Sequence, residues 1–246
     1  MTPALRALIW DVDGTLADTE HLHRFAFNEA FSQAGLGWNW DANTYRRLLK
    51  VAGGRQRIAF WHAERRAPGE TAWSADAEPV RRLHAVKTGI YTRLVDRGEI
   101  PLRAGVLAML KEARAHGLRL AIATTTSPPN IEALLGHNLG ADWRDWFEVV
   151  EDGDTAPRRK PDPQVYTQAL ARLGLHPDEC VAFEDSITGL RASIAAGIPT
   201  VVTPSHYTAH DDFRGAMRVV PDLADVHLAQ VLAWQQQAQP AGTLSA

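Results

Sequence analysis

The chain has 246 residues, enough for a large domain or a two-part enzyme. Its 45% hydrophobic and 22% charged residues are ordinary for a globular protein, and 26 Lys/Arg against 29 Asp/Glu give a net charge of -3, which excludes a broadly basic nucleic-acid binder. No apolar run approaches the roughly 18 residues of a membrane span, charge arrives too early for a secretory leader, and one cysteine, Cys180, fits a reducing, cytoplasmic setting. The charge is unevenly spread: residues 19–100 hold 13 Lys/Arg against 9 Asp/Glu, a balance of +4, and the remainder holds 13 against 20, a balance of -7. Solvated helix faces explain such a split as readily as a basic module closing on an anion above an acidic site.

In chain order, LRALIWDV reads as a buried parallel strand that ends in carboxylates and a Gly-Thr turn. Apolar residues then recur at helical spacing through Leu16, Leu22, Phe25, Ala26 and Ala30. Further helical patterns cover 45–49, 58–64 and 81–95, with a loop at 67–71. From Pro101 the pattern alternates. A helix in LRAGVLAMLKEARAHG precedes the strand LRLAIAT, and a helix near 130–138 precedes a strand near 147–150. A helix at 163–173 leads to the strand CVAFE, a helix at 186–196 leads to PTVVT, and MRVV reads as an edge strand. Such alternation predicts βαβ units, a parallel sheet and helices on both of its faces. The expected architecture is α/β: a catalytic core of residues 1–18 and 98–236, a helical insertion at 19–97, and a flexible tail at 237–246.

Two carboxylate pairs fall at predicted strand ends. Asp11 and Asp13 lie in DVDGT, where Gly14 permits a sharp turn and Thr15 is placed to cap the next helix. Taken alone, DxDG also suits a hairpin turn or a calcium loop, although the further EF-hand ligands are absent. Glu184 and Asp185 close the strand CVAFE, and EDS by itself reads equally as a helix N-cap. Ligands bind at strand ends of open α/β sheets, and four acids converging there repel one another unless a cation is present. Mg2+ suits carboxylate, water and phosphate oxygens. Thr124 ends LRLAIAT, where its hydroxyl and nearby amides either hold phosphate or form a polar turn. Pro161 keeps Lys160 out of a helix. Arg158 and Arg159 read as surface charge, as does Lys160 unless the fold returns it to the carboxylates.

Asp11-Val12-Asp13-Gly14-Thr15, Thr124, Lys160-Pro161 and Glu184-Asp185, in this order and spacing, resemble the haloacid dehalogenase-like superfamily over nearly the whole chain. The helical insertion resembles the cap of its β-phosphoglucomutase-like branch. This likeness implies a HAD-like Rossmannoid core, with Asp11 as a nucleophile forming an aspartyl-phosphate and Asp13 as the acid/base. It further implies that Thr124 and Lys160 orient and neutralise the phosphoryl group. Mg2+ would be held by Asp11, the backbone carbonyl of Asp13 and Asp185, with Glu184 close by and acting through water. A halide departs without a proton, so an acid at Asp13 argues against dehalogenation.

DVDGTLADTEHLHRFAFNEAF, YRRLLKVAGGRQRI, ATTTSPPNIEALL, AFEDSITGLRA and SHYT at 205–208 are similar to the CbbY-type proteins, the xylulose-1,5-bisphosphate phosphatases of carbon-fixing organisms. That resemblance implies release of the C1 phosphate to give xylulose 5-phosphate, which re-enters the Calvin cycle. It also implies a monomer whose partner is a small sugar bisphosphate, with no nucleic acid and no membrane. Glu20 and His23, three apart on one helix face, resemble residues that hold sugar hydroxyls. Arg46, Arg55 and Arg57 are candidates for the distal phosphate, and Gly53-Gly54 would allow close approach of cap helices. Thr125, Thr126, Asn130 and His206 complete the expected pocket. Arg55 stands where the family often has Lys, and Trp10 where Phe is usual, the latter a packing variant. A β-phosphoglucomutase or another sugar-phosphate phosphatase shares every core motif. A binding protein with a dead core would have lost Asp11 or Asp13.

Overall fold

The computed structural model describes residues 4–98 and 100–237. The first strand, β1 (Ala7–Trp10), is buried on both faces. Leu8 and Trp10 pack with Met109, Leu110 and Ile131 on one side, while Ala7 and Ile9 pack with Val165, Tyr166 and Leu170 on the other. Four helices follow: α1 (Glu20–Gln33), α2 (Ala42–Leu48), α3 (Gly54–Arg65) and α4 (Glu78–Asp96). Alternation then begins with α5 (Val106–Ala115), β2 (Arg119–Ala123), α6 (Pro128–Leu139), β3 (Val149–Glu151) and α7 (Gln164–Leu173). It ends with β4 (Cys180–Glu184), α8 (Ile187–Ala195), β5 (Thr200–Val202), β6 (Arg218–Val219) and α9 (Leu228–Gln237). Among the described residues no helix is long and apolar enough to cross a membrane.

The strands form one parallel sheet in the order β3-β2-β1-β4-β5-β6, with the exposed β6 at an edge as expected. Trp10 pairs with Ile122 of β2 and with Phe183 of β4, so the chain leaves β1 between the ends of these two neighbours. Trp10 stacks on Phe183, rings 4.1 Å apart and 7° from parallel, which gives the tryptophan its packing role. The helices between β1 and β2 build a separate aromatic core from Phe27, Phe31, Trp40, Tyr45 and Trp61. Tyr207, from the loop after β5, inserts into that same cluster.

Three local expectations differ from the structure. Leu16 is not helical: its amide bonds Val12 O within a tight turn, and α1 begins only at Glu20. Phe25 lies on the solvent side of α1, 49% exposed. The helix α9 has no counterpart in the sequence reading, because Leu228, Val231 and Gln235 are its buried positions and so short a stripe carries little periodicity. Gln237 closes α9, and residues 238–246, the rest of the expected tail, lie outside the described residues.

Gly105 opens α5 with φ 78°, and a Cβ there would stand 1.9 Å from the backbone oxygen of Leu223 in the segment leading to α9. Gly105→Ala is expected to lower stability by about 2–4 kcal/mol, from left-handed strain plus overpacking against backbone. Urea unfolding reads this as an earlier midpoint at an unchanged m-value; a wild-type midpoint would contradict the close approach.

Candidate active site

The carboxylates gather where β1 and β4 end. Asp11 N still donates to Phe183 O at 3.0 Å, and the chain then turns sharply as Leu16 N bonds Val12 O and Gly14 N bonds Ala17 O. Gly14 sits at φ +83°, and a Cβ on it would lie 2.2 Å from Asp185 Oδ2, so this turn requires glycine. Thr15 does not cap α1. Its hydroxyl donates to Asp11 Oδ2 at 3.3 Å, while the N-cap position falls to Thr19. Ser186 caps α8 by accepting from Gly189 N, as the N-cap reading of EDS expects, while Glu184 and Asp185 lie in the acidic cluster.

Lys160 Nζ donates to Asp11 Oδ1 at 2.7 Å and to Glu184 Oε1 at 2.6 Å, all three side chains being buried. Tyr166 OH adds a 2.5 Å bond to the same Glu184 oxygen. Burial pushes Asp11 up to about 7, with Lys160 opposing and Glu184 adding to the rise. Asp185, which accepts from Thr208 Oγ1 at 3.3 Å, is raised well above the carboxylate range by burial and by the charges of Asp11 and Glu184. Oxygen atoms of Asp11, Glu184 and Asp185 lie within 4.8 Å of one another. Three buried carboxylates facing one ammonium leave an excess of negative charge, and their hard oxygens fit a divalent cation such as Mg2+.

Asp13 Oδ1 accepts from Thr19 Oγ1 at 2.7 Å and pairs with His23 Nε2 at 2.9 Å. Burial opposes its charge, but the bonds from His23 and Thr19 prevail and hold it below the ordinary carboxylate range. Burial and the neighbouring Lys87 lower the proton affinity of His23, with Asp13 opposing. These partners assign its tautomer, Nε2–H donating to Asp13 and Nδ1 accepting from Lys87 Nζ at 2.7 Å. The sequence reading missed Lys87. Its signal was a lysine in register with Leu83, Ile90 and Tyr91, all on the buried stripe of α4.

One cavity of about 560 Å³ collects nearly all the expected residues. Asp11, Asp13, Thr124, Lys160 and Asp185 form its floor with Thr125, Thr126 and Asn130, and Glu184 lies fully buried beneath. Thr124 Oγ1 accepts from Thr126 N at 3.3 Å, and Asn130 Nδ2 donates to Thr126 Oγ1 at 3.0 Å. Glu20, His23, Arg46, Gly53, Gly54, Arg55 and Arg57 line it from the helical insertion. Glu20 Oε2 accepts from Tyr45 OH at 2.7 Å, and Arg57 Nε donates to Val51 O at 2.9 Å. Arg46 Nη1 reaches Asn43 at 3.2 Å, and Arg55 pairs with Asp76 at 3.1 Å. A Cβ on Gly54 would lie 2.5 Å from His84 Nε2, the close approach of helices expected there. Burial, with Lys87 and Arg55 near, pushes His84 down to about 3, so a neutral imidazole lines the wall.

Two placements correct the sequence reading. His206 is exposed and stands outside the cavity, because the backbone turn at 205–208 sends Tyr207 and Thr208 inward instead. Arg159, read as surface charge, lines the cavity, whereas Arg158 is exposed as expected.

Carboxylates at the central strand ends of a parallel sheet, covered by an inserted helical module, define the class, and comparison with known proteins agrees. A family model described as haloacid dehalogenase-like hydrolase matches residues 5–197, and the chain belongs to this family of hydrolases, among its CbbY-type phosphatases. It is 51% identical over 222 residues to the plasmid-borne protein CbbY of Cupriavidus necator, covering 90% of this chain and 87% of that one. The crystal structure of a CbbY mutant from Rhodobacter sphaeroides in complex with xylulose-(1,5)bisphosphate superposes with a TM-score of 0.84 at 42% identity, covering 92% of this chain and 98% of that chain. A β-phosphoglucomutase from Clostridium difficile shares the fold, with a TM-score of 0.77 at 19% identity over 95% of this chain and 98% of its own.

Burial pushes Lys87 down to about 7, while its ordinary value is 10.5. Between these values the unfolded chain binds the proton that the folded state releases, so this group makes stability rise with pH from about 7 towards 10.5. Lys87→Met is expected to flatten that rise in urea unfolding at pH 7, 8 and 9. An unchanged slope would place the lysine's charge in solvent.

Proposed function

We propose that this chain is a Mg2+-dependent phosphatase that converts xylulose 1,5-bisphosphate and water to xylulose 5-phosphate and phosphate. The observation that carries the reading is one cavity lined by cationic side chains from both the sheet and the helical insertion. Lys160, bonded to Asp11, and Thr124 line it from the sheet side, and Arg46, Arg55 and Arg57 line it from the insertion. The substrate named for the Rhodobacter sphaeroides complex carries two phosphates, and that relative's 42% identity supports the same choice here. In this reading residues 1–18 and 98–236 are the catalytic core and 19–97 a cap over it, with catalysis in the cytoplasm by a monomer.

Asp11 attacks the C1 phosphorus, the bond from phosphorus to the sugar oxygen breaks, and Asp13 gives that oxygen a proton. Asp13 then takes a proton from water as the water attacks the aspartyl-phosphate, and phosphate leaves with Asp11 restored. The bonds from Thr19 and His23 orient the Asp13 carboxylate and keep it ionised between the two proton transfers. A phosphate dianion beside it raises its proton affinity, which suits the donating step. Lys160 and Thr124 hold the phosphoryl oxygens, and Glu20, fixed by Tyr45, meets sugar hydroxyls. Asp11, the Asp13 carbonyl and Asp185, with Glu184 beside them, would hold Mg2+, which would offset the charge crowding at the transferring group.

Asp11→Asn is expected to abolish turnover and phosphate incorporation into acid-quenched enzyme while the thermal midpoint stays at or above that of the wild type. Wild-type turnover in this variant would overturn the nucleophile assignment.

A further inference from the structure

Arg159 has no part in the reaction described above, yet its surroundings are built. The residue is half-buried in the cavity wall, and its Nη1 donates to Thr125 O at 3.1 Å. Its Nε is buried and has no hydrogen-bond partner. Arg158 pairs with Asp162, and Lys160 with Asp11 and Glu184, whereas among the described residues Arg159 forms no ion pair. Burial and the facing charge of Arg55 depress this guanidinium, with Asp154 and Asp152 acting in the opposite sense.

The backbone leaves room for the side chain. A Cβ on Gly153 would lie 2.2 Å from Arg159 Nη1, and one on Gly53, at the start of α3, would lie 3.7 Å from its Nε. The guanidinium therefore sits between the loop after β2 and the first turn of α3, on the side of the cavity that Arg55 faces. Arg46 Nε and Ser127 Oγ, on residues that line the same cavity, are also buried without partners. A half-buried cation that Asp152 and Asp154 influence only from beyond ion-pair distance gains from a ligand that supplies a directly paired negative charge. A phosphate dianion supplies both charge and paired acceptors for a planar guanidinium. Lys160 already serves the reacting end, and Asp11's charged neighbours are Lys160, Glu184 and Asp13, not Arg159.

We propose that Arg159 is a specificity-determining residue for bisphosphate substrates, gripping from the sheet side the phosphate remote from Asp11 while Arg46 and Arg55 grip it from the insertion. The inference rests on the bisphosphate reading above. It adds that the remote phosphate ties the insertion to the core, a link that a monophosphate lacks. Binding energy gained far from the reacting phosphorus then favours the longer substrate.

The test compares kcat/KM on xylulose 1,5-bisphosphate and xylulose 1-phosphate for the wild type, Arg159→Ala, Arg159→Lys and the exposed neighbour Arg158→Ala. Arg159→Ala is expected to lose roughly 10- to 100-fold on the bisphosphate, mostly through KM, from the removal of charge-assisted bonds. Its loss on the monophosphate is expected to be less than a tenth of that factor. Arg159→Lys should recover part of the difference, and Arg158→Ala should keep the wild-type preference. Arg159→Gln, which retains a long polar side chain, carries the test if the alanine variant does not fold. Equal losses on both substrates, or an unaltered bisphosphate preference, overturn the Arg159 assignment alone. A wild type without any preference for the bisphosphate overturns the underlying reading as well.

Discussion

The ammonium of Lys160, 2.7 Å from Asp11 and 2.6 Å from Glu184, joins segments that are 149 and 24 residues away along the chain. Each of these charges is buried, and none would be tolerated there alone. The sheet order explains how they meet. With β1 between β2 and β4, the residues that follow all three strands emerge side by side. Lys160 arrives from the connection between β3 and α7, and Tyr166 on α7 braces the same glutamate. The lysine balances only part of the negative charge of Asp11, Glu184 and Asp185. The remaining negative charge makes this floor suited to a divalent cation, and a cation bound there would attract a phosphoryl group.

The insertion meets this floor through specific polar contacts as well as apolar packing. Asp13 is held by Thr19 and His23, which flank the start of α1, and His23 is held by Lys87 from α4. The carboxylate proposed as acid/base is therefore positioned by the helical insertion. On the far side Arg24 Nε donates to Tyr207 OH at 3.2 Å, and Tyr207 packs edge-on against Tyr45 at 5.6 Å. Thr208, the next residue, donates to Asp185. One short loop thus touches both the aromatic core of the insertion and a carboxylate of the floor. Arg103 fixes the base of that loop, donating to the carbonyl oxygens of Thr203, Pro204 and Gly14.

The strands and their terminal carboxylates were legible in the sequence because buried parallel strands are continuous apolar runs, and acids at their ends break the run visibly. Asp11, Asp13, Glu184 and Asp185 all belonged to such breaks. The uneven charge also had a physical counterpart, since the basic insertion turns Arg46, Arg55 and Arg57 toward the cavity. Less legible were residues whose position depends on tertiary approach. Arg159 sits in a run of three cations, and nothing local distinguishes the half-buried guanidinium from its exposed neighbour Arg158. The SHYT segment pointed to the right loop, but turn geometry decides which side chain faces in, and it favours Tyr207 over His206. Thr15 follows the sharp turn closely enough to bond Asp11, so the capping role its residue type suggested is lost.

The central claim is that the cations lining the cavity from the sheet and from the insertion select a bisphosphate of xylulose. The most direct measurement is kcat/KM, side by side, on xylulose 1,5-bisphosphate, ribulose 1,5-bisphosphate and β-glucose 1-phosphate, with all products identified. The account predicts the highest value for xylulose 1,5-bisphosphate, with free phosphate and xylulose 5-phosphate as products. A higher value for β-glucose 1-phosphate with glucose 6-phosphate as product, or equal values for all three, would contradict it.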